Sequence, residues 1–434
     1  MDNSTKILRR LQLLHPKKID LSLLRIRRLL KKLDNPHLNM APVIHIAGTN
    51  GKGSVTSFLR SIFEKANLKI HTYTSPHLIR FNERIRINSK LIGNSALSQL
   101  LEECEKFNNG EEITFFEITT AAAFLAFSRI DADFILLETG LGGKFDATNI
   151  AKNKICSVIT PISMDHMNFL GSSIKKITAE KLGIFNQCKH AIISKQKTTV
   201  RQMIRLEAKK KRIKLYEEGI DWKIINKNYV TEIFKMDFSG TNYDLNFPSL
   251  KGEHQIENAS TAVATAISLN NKKINDKIIN EGLLSANWAG RMQKLDNGKL
   301  SDIIGDRFEI WLDGGHNIEA STMISKEIKN WKKDKVFLVF GMMIGKDPIK
   351  FLKKIVNNVS AIFLVPIQDH QYIPPYEIKK KIISQLNIYE EVFCSLDIRE
   401  ALSIIKKYKS GKILICGSLY LAGDILKEDG FKIS

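Results

Sequence analysis

The residues of this sequence best suited to chemistry lie together in the segment HIAGTNGKGSVTS, residues 45–57. Its three glycines allow the backbone to approach a phosphate, and the N–H groups of residues 50–54 can point at that anion from a helix N-terminus. Lys52 can reach the terminal phosphates of a nucleotide. Because apolar runs come before and after the glycines, the segment predicts a strand, a phosphate-binding loop and a helix rather than a plain connector.

Other reactive side chains follow apolar segments that have the character of buried strands. Glu138 ends the run DFILLE, and Asp165 and His166 come soon after KICSVITPI. Magnesium prefers hard oxygen ligands, so Glu138 is a candidate ligand, with a solvated strand-end carboxylate as the alternative.

Composition limits the class of protein. The chain has 434 residues, 43% of them hydrophobic and 26% charged, which predicts a globular protein of two domains. No apolar run approaches the roughly 18 residues of a membrane span, and the N-terminus lacks a secretory signal pattern. Five scattered cysteines without a C-x-x-C pair argue against a disulfide framework and a cysteine zinc site. We therefore expect a cytoplasmic protein with no membrane partner.

The formal net charge of +20 admits two interpretations. A strongly basic protein can bind nucleic acid, but the lysines here are spread along the whole chain. A general positive field also attracts nucleotides and carboxylate substrates. We therefore expect no nucleic-acid partner, and keep a nucleic-acid-dependent P-loop ATPase as the alternative from another class.

The rest of the sequence predicts the elements that position these residues. Apolar strands alternate with helical segments, which predicts an α/β fold with a doubly wound parallel sheet. Leucines at helical spacing predict helix over residues 6–33, and residues 222–248 predict a small antiparallel appendage. We expect a phosphate-loop domain at 1–287, a linker at 288–297 and a smaller α/β domain at 298–434. Ligands of such sheets bind beyond the carboxyl ends of the strands.

Three further segments carry a family resemblance together with GTNGKGS. They are TSPHLIRFNERIRI at 74–87, LLETGLGGKFDATN at 136–149 and LDGGHN at 312–317. In this order they resemble the folylpolyglutamate synthases and dihydrofolate synthases of the Mur ligase superfamily, over about residues 7–423. The resemblance implies a P-loop, parallel-sheet ATP-binding domain followed by a smaller Rossmann-like α/β domain. It also implies a ligase in which ATP converts a carboxylate into an acyl phosphate, which the amine of L-glutamate then attacks.

The resemblance implies roles for individual residues as well. Those at the nucleotide are Asn50, Gly51, Lys52, Gly53, Ser54, Asn258, Arg291 and Asp313. Those at magnesium are Ser75, Glu138, His166 and Lys181, the last as a carbamylated side chain that helps to hold a second ion. The alternatives are a turn residue for Ser75, a capping or core histidine for His166 and a surface lysine at a helix start for Lys181. Catalytic roles fall to Lys52, His166, Lys181, Arg291, Asp313 and His316, with Lys346 and Asp347 as weaker candidates. The implied cofactors are ATP and Mg²⁺, and a second magnesium ion and a monovalent cation stay open.

One motif departs from the family pattern and keeps its cation. The family usually has W-P-G-R where this chain has Trp288, Ala289, Gly290 and Arg291, so the rigid proline is missing. In the second domain, Gly315 stands where the family often has alanine.

A pterin with its benzoyl group needs a flat apolar slot with a few polar edges. The candidates for this slot are Phe81, Asn82, Phe115, Phe116 and Glu117, although an aromatic residue near a helix start is as often a core residue. We expect a bifunctional enzyme that adds L-glutamate to dihydropteroate and to reduced folates. A monofunctional folylpolyglutamate synthase and a Mur-type peptidoglycan ligase remain alternatives. The expected partners are small molecules, namely dihydropteroate, folates, L-glutamate and ATP. We expect the protein to be a monomer.

Overall fold

The computed structural model describes residues 3–15, 19–331, 334–388 and 391–433. The chain divides into two compact units, which are described separately. The first unit comprises Met1–His77, Phe81–Ser249 and Gln255–Asn287, and the second comprises Leu78–Arg80, Leu250–His254 and Trp288–Ser434.

The first unit is built around a sheet in which eight strands pair among the described residues. In chain order these are β1 (Val43–Ala47), β2 (Ile70–Tyr73), β3 (Ile85–Ile87), β4 (Lys90–Leu91), β5 (Phe134–Glu138), β6 (Lys154–Ile159), β7 (Cys188–Ile193) and β8 (Lys214–Glu217). Their order across the sheet is β4-β3-β2-β5-β1-β6-β7-β8, with β3 and β4 antiparallel and the others parallel. The chain therefore leaves β1 towards one side and returns on the other, which creates the crevice where ligands bind in such sheets.

The same unit contains most of the helical residues. Its helices are α1 (Asn3–Leu11), α2 (Leu24–Lys32), α3 (Lys52–Lys65), α4 (Asn94–Asn108), α5 (Phe115–Arg129), α6 (Met167–Leu170), α7 (Ile174–Lys181), α8 (Thr198–Lys211), α9 (Glu253–Ser268) and α10 (Asp276–Ser285). Short 3₁₀ turns occur at Pro36–Leu38, Phe81–Arg84, Ala147–Ile150 and Leu182–Phe185. The single helix predicted over residues 6–33 is wrong, because α1 ends at Leu11 and α2 begins at Leu24. The sequence has Pro16 between them, and a proline disfavours helix in the residue before it.

A small antiparallel sheet interrupts the parallel pattern of the first unit. Its strands are β9 (Trp222–Asn228), β10 (Ile233–Phe238) and β11 (Thr241–Asn246), in the order β11-β10-β9. Alternate residues of β10 are buried, Phe234, Met236 and Phe238 among them. The predicted antiparallel appendage at 222–248 is confirmed.

The second unit is a smaller α/β unit with its own sheet. Its strands are β12 (Gln293–Leu295), β13 (Phe308–Leu312), β14 (Val336–Phe340), β15 (Ala361–Leu364), β16 (Val392–Cys394) and β17 (Gly411–Cys416), in the order β12-β13-β17-β14-β15-β16. Its helices are α11 (Lys299–Ile304), α12 (Ile318–Lys329), α13 (Pro348–Leu352), α14 (Pro375–Leu386), α15 (Ile398–Ile405) and α16 (Leu419–Asp429), with a 3₁₀ turn at Val356–Asn358. Only β12 is antiparallel to its neighbour within the described part of this sheet. β12 lies inside residues 288–297, where the sequence predicts a linker.

Both faces of the second sheet are buried. Along β14, Phe337 and Val339 belong to one hydrophobic cluster, while Leu338 and Phe340 belong to another. A parallel sheet covered on both faces reads as a continuous apolar run, which is why VFLVF is recognisable as a strand. The described helices include none that is long and apolar enough to cross a membrane.

Candidate active site

The loop between β1 and α3 depends on two glycines. A Cβ atom on Gly48 would lie 1.8 Å from Thr160 Oγ1, and one on Gly51 would lie 2.4 Å from Asn258 Oδ1. Gly51 also has a φ of +86°, in the left-handed region that favours glycine. Side chains larger than hydrogen are therefore excluded at these two positions of the loop. Of the residues predicted at the nucleotide, the structure brings Asn258 directly to this loop.

The loop is also tied to the segment after β6. Thr49 N–H donates to Pro161 O at 2.9 Å, and Thr49 Oγ1 donates to Ser163 O at 3.1 Å. In return, Ser163 N–H donates to Thr49 Oγ1 at 3.0 Å. Sequence reasoning missed Thr49 and Ser163, whose small hydroxyl side chains carry no recognisable spacing. They fix the loop beside the strand end that leads to His166.

Two lysines converge on the mouth of this loop. Lys52 Nζ donates to Gly48 O at 3.3 Å and to Thr49 O at 3.2 Å, and Lys181 Nζ donates to Gly48 O at 2.7 Å. Lys181 is buried, and this burial, with Lys52 nearby, lowers its pKa from 10.5 to about 7. The Lys52 side chain gives the loop an electropositive group, as a site for a triphosphate requires. Three of the predicted residues, Lys52, Lys181 and Asn258, thus lie around Gly48 and Gly51.

A buried carboxylate stands at the end of the neighbouring strand. Glu138 is 4% exposed, pairs with Ile46 of β1 in register, and its Oε2 accepts a hydrogen bond of 3.5 Å from Ser75 N–H. The predicted magnesium ligands Glu138 and Ser75 are therefore adjacent. A carboxylate and a hydroxyl are hard oxygen donors, so the residues present fit a magnesium ion.

His166 occupies a turn next to its neighbour Asp165. Its φ is +50°, its side chain is exposed, and its Nε2 lies 3.8 Å from Asp165 Oδ2. The Asp165 carboxylate also accepts the His166 N–H at 2.8 Å. His166 precedes α6 at the N-cap position without a side-chain capping bond, so the capping alternative is not what the structure shows.

Comparison with known proteins places these features in a family. The sequence matches the Mur ligase middle domain over residues 46–266 and the C-terminal domain of dihydrofolate synthetase over residues 293–428. It is 30% identical over 419 residues to the Bacillus subtilis dihydrofolate synthase/folylpolyglutamate synthase, covering 93% of this chain and 94% of that protein. The chain belongs to this family.

Members of the dihydrofolate synthase/folylpolyglutamate synthase family are ATP-dependent ligases that form amide bonds to glutamate in folate metabolism, and this chain is an enzyme of that class. A second relative, the dihydrofolate synthetase of Saccharomyces cerevisiae, is 30% identical over 430 residues, covering 94% of this chain and 98% of that protein. The structure of E. coli FolC in complex with DHPP and ADP superposes with a TM-score of 0.86 at 27% identity, covering 98% of each chain. The predicted two-domain α/β fold is confirmed.

Two residues predicted at the pterin slot make hydrogen bonds within the first unit. Asn82 Nδ2 donates to Ile92 O at 2.7 Å and to Asn94 Oδ1 at 2.9 Å. Glu117 completes a capping box with Thr114 at the start of α5 and accepts a hydrogen bond of 2.9 Å from Arg25 Nε. Both side chains are buried, and a buried polar group must find partners locally. The T-x-x-E spacing at 114–117 was the sequence signal for the capping role.

The three predicted aromatic residues lie at the edge of the core of the first unit. Phe81 is 5% exposed and meets Phe115 edge to face at a centroid distance of 5.8 Å. Phe115 and Phe116 are partly buried against the same core cluster. The Phe116 ring packs against Gly140, two residues after Glu138.

The second unit contains its own cluster of predicted residues beyond β13. Asp313 accepts hydrogen bonds from Met292 N–H at 2.9 Å and from Gly315 N–H at 2.7 Å. Gly290 O accepts from Gly314 N–H and from Arg291 Nη1, both at 2.9 Å. The Arg291 backbone is therefore held on both sides by the turn that Asp313 organises. His316 follows in this turn and is half-buried.

The weaker candidates of this unit have a local role. Asp347 caps α13 by accepting the Lys350 N–H at 3.1 Å, and its carboxylate pairs with Lys350 Nζ at 3.1 Å. These bonds, with burial opposing them, leave the pKa of Asp347 lower than its ordinary value. The adjacent Lys346 is half-buried.

Proposed function

We propose that this ligase adds L-glutamate both to dihydropteroate and to reduced folates, with one ATP consumed for each amide bond. The observation that carries the proposal is the pair of lysines on the glycine loop that Asn258 and Thr160 shape. The Bacillus subtilis relative is named for both activities, whereas the Saccharomyces cerevisiae relative is named for the first alone. The E. coli relative binds ADP and DHPP.

The reaction needs activation because a carboxylate does not acylate an amine in water. The substrate carboxylate attacks the γ-phosphorus of ATP, which forms an acyl phosphate and releases ADP. The glutamate amine then attacks the acyl carbon, and inorganic phosphate leaves. Negative charge gathers on the transferred phosphoryl group, so cations placed beforehand supply most of the catalysis. We assign this role to Lys52, which exchanges the carbonyl oxygens of the loop for phosphate oxygens.

Glu138 and Ser75 are the residues that would hold magnesium, with His166 as a further ligand. When bound, the ion neutralises phosphate charge and orients the phosphate oxygens. The burial of Glu138 favours this role, since a buried carboxylate needs a cation or several donors to offset its lost hydration.

Lys181 is proposed to act as a carbamate. A pKa of about 7 leaves much of its amine neutral near neutral pH, and the neutral amine is the form that adds to CO₂. In ¹³C-bicarbonate, a carbamate signal is expected in the NMR spectrum of the protein. It should disappear in Lys181→Met and persist in Lys195→Met, a control that removes an exposed lysine.

Arg291 is proposed as a second phosphate-binding cation, and Asp313 as the residue that positions it. Support comes from the hydrogen bonds that fix the backbone on either side of Arg291. His316 is assigned to the same turn as a further polar contact.

Phosphate release by the purified protein, followed by mass analysis of the product, tests the function. With ATP, magnesium, L-glutamate and dihydropteroate, equal amounts of phosphate and dihydrofolate are expected, and with tetrahydrofolate a product one glutamate longer. Omission of glutamate is the control for uncoupled hydrolysis. Turnover of tetrahydrofolate alone would leave a monofunctional folylpolyglutamate synthase, and turnover of neither would reject the proposal.

A further inference from the structure

A buried lysine outside the proposed reaction lies beneath the motif DATN. Lys154, the first residue of β6, is 2% exposed, and its Nζ donates to Asn149 Oδ1 at 2.6 Å and to Asn149 O at 3.4 Å. Burial lowers its pKa from 10.5 to about 7, against the opposing effect of the Cys188 thiol. Removing an amine from water costs free energy, and the hydrogen bonds to Asn149 offset part of that cost.

Lys154 fixes the orientation of the Asn149 side chain. Backbone carbonyls only accept, so the amide NH₂ must face Lys144 O and Gly183 O, and Oδ1 is left to accept from Lys154. The NH₂ group donates to Lys144 O at 3.0 Å and to Gly183 O at 3.2 Å. One amide therefore ties together two segments that are far apart in sequence, the loop segment 140–149 and the lysine segment 180–183.

A third hydrogen bond joins the same two segments. Lys144 N–H donates to Glu180 O at 2.7 Å, next to Lys181. Lys181 Nζ in turn donates to Gly48 O at 2.7 Å. The position of the Lys181 amine at the glycine loop is thus set by a short chain of contacts that begins at Lys154.

The other half of the motif shapes the loop segment from within. Asp146 accepts hydrogen bonds from Leu141 N–H at 2.7 Å and from Thr148 N–H at 3.0 Å. The Thr148 hydroxyl also donates to Asp146, so its oxygen accepts from His45 Nε2 at 2.8 Å. The polar side chains of the motif, Asp146, Thr148 and Asn149, all make hydrogen bonds within the first unit.

We propose that Asn149 and Lys154 are positioning residues, which clamp the loop segment to the lysine segment and so hold Lys181 at the glycine loop. The motif DATN then acts through Lys181 and touches no substrate. This inference rests on the role proposed for Lys181.

The clamp has two parts, the bonds from Lys154 to Asn149 and the bonds from Asn149 to the two backbone carbonyls. The variant that tests them separately is Asn149→Asp. It keeps the acceptor that faces Lys154 and removes both N–H donors to Lys144 O and Gly183 O. Lys154→Met removes the hydrogen bonds that Lys154 donates to Asn149 and keeps an unbranched side chain of similar length. Each is expected to lower kcat about tenfold, as the loss of one or two buried hydrogen bonds implies. The KM for dihydropteroate should stay unchanged. In an Asn149→Ala background, adding Lys154→Met should lower kcat no further.

Hydrogen exchange supplies a second readout that needs no turnover. Peptides covering residues 140–149 and 180–185 should exchange faster in Asn149→Asp and in Lys154→Met. The control is Phe234→Leu in β10, a core variant of the same unit that lowers stability without touching the clamp. Should Asn149→Asp fail to fold, Asn149→Ala gives the same comparison.

Three outcomes are distinguishable. If Lys181→Met keeps wild-type kcat, the proposed role of Lys181 fails. If Lys181→Met loses activity but Asn149→Asp keeps both kcat and exchange at wild-type values, the clamp is overturned. It is also overturned if the kcat of Phe234→Leu falls as far as that of Lys154→Met at the same loss of Tm.

Discussion

The loops that follow β1 and β13 both begin at the carboxyl end of a strand but have opposite electrostatics. In the first unit, Lys52 and Lys181 donate to a backbone carbonyl of the loop, and α3 begins with N–H groups that a helix cannot satisfy internally. In the second unit, Asp313 takes two backbone N–H groups of its own region. The first loop therefore gathers two lysine amines, whereas the second uses its carboxylate to build a fixed turn. Strand-end glycines alone do not distinguish the two.

The largest effect is expected where the first loop meets phosphate. Lys52→Ala should lower kcat by about a thousandfold or more, because a lost transition-state charge contact costs several kcal/mol. Tm should change little, since the Lys52 amine bonds only to carbonyls at the loop surface. Steady-state kinetics and calorimetry measure both quantities, with the exposed Lys195→Ala as control for charge loss. Near-normal turnover would remove the phosphate-loop assignment.

The next effect concerns the carboxylate beside that loop. Glu138→Gln keeps the volume of the side chain and removes its charge, so the magnesium concentration for half-maximal activity should rise about tenfold to a hundredfold. Magnesium titrations of turnover and of nucleotide binding measure this shift. A titration curve that matches the wild type would reject Glu138 as a ligand.

The second loop should respond differently. Asp313→Asn replaces one acceptor oxygen by a donor, so the N–H of Met292 or of Gly315 loses its partner. We expect kcat to fall about tenfold and Tm to fall by several degrees, as a buried unsatisfied donor costs about 1–3 kcal/mol. This joint loss of activity and stability contrasts with Lys52→Ala. Unchanged Tm with lost activity would place Asp313 at the substrate instead.

Residue types alone predicted the glycine loop, because glycine spacing, a lysine and flanking apolar runs report directly on backbone and charge. Alternation likewise predicted the antiparallel strands of the appendage. The partners of Asn82 could not be predicted, since Ile92 and Asn94 reach it only through the local turn. Glu117 could have been assigned from its spacing to Thr114, but the resemblance to a folate-binding family favoured a substrate role.

The clamp beneath DATN had no sequence signal at Lys154. A lysine that opens an apolar strand is indistinguishable from one that faces solvent, and only the fold shows that it is buried. The contact of Asn149 with Gly183 joins residues 34 positions apart, so no local pattern reports it. Burial of charge is a property of the assembled sheet.

That burial predicts a pH dependence of stability. With a folded pKa of about 7 against an ordinary 10.5, Lys154 binds fewer protons in the folded than in the unfolded chain between these values. Its contribution to the free energy of unfolding therefore rises with pH across this window, by up to about 1.4 kcal/mol per unit. Denaturant unfolding at pH 7, 8 and 9 should show a shallower rise for Lys154→Met than for the wild type. Parallel curves would mean that Lys154 is charged and hydrated when folded.

The smallest effect is expected from a matched pair of glycines, one in each unit. Gly51 in the first loop and Gly345 in the second unit share a φ of +86°, but a Cβ on Gly345 would meet nothing within 4 Å. Both alanine variants should lose about 1–2 kcal/mol from left-handed strain. Gly51→Ala should lose more, because its Cβ would also displace Asn258, and its KM for ATP should rise while Gly345→Ala keeps wild-type kinetics. Equal losses in both variants would show that Asn258 moves without cost and does not shape the loop.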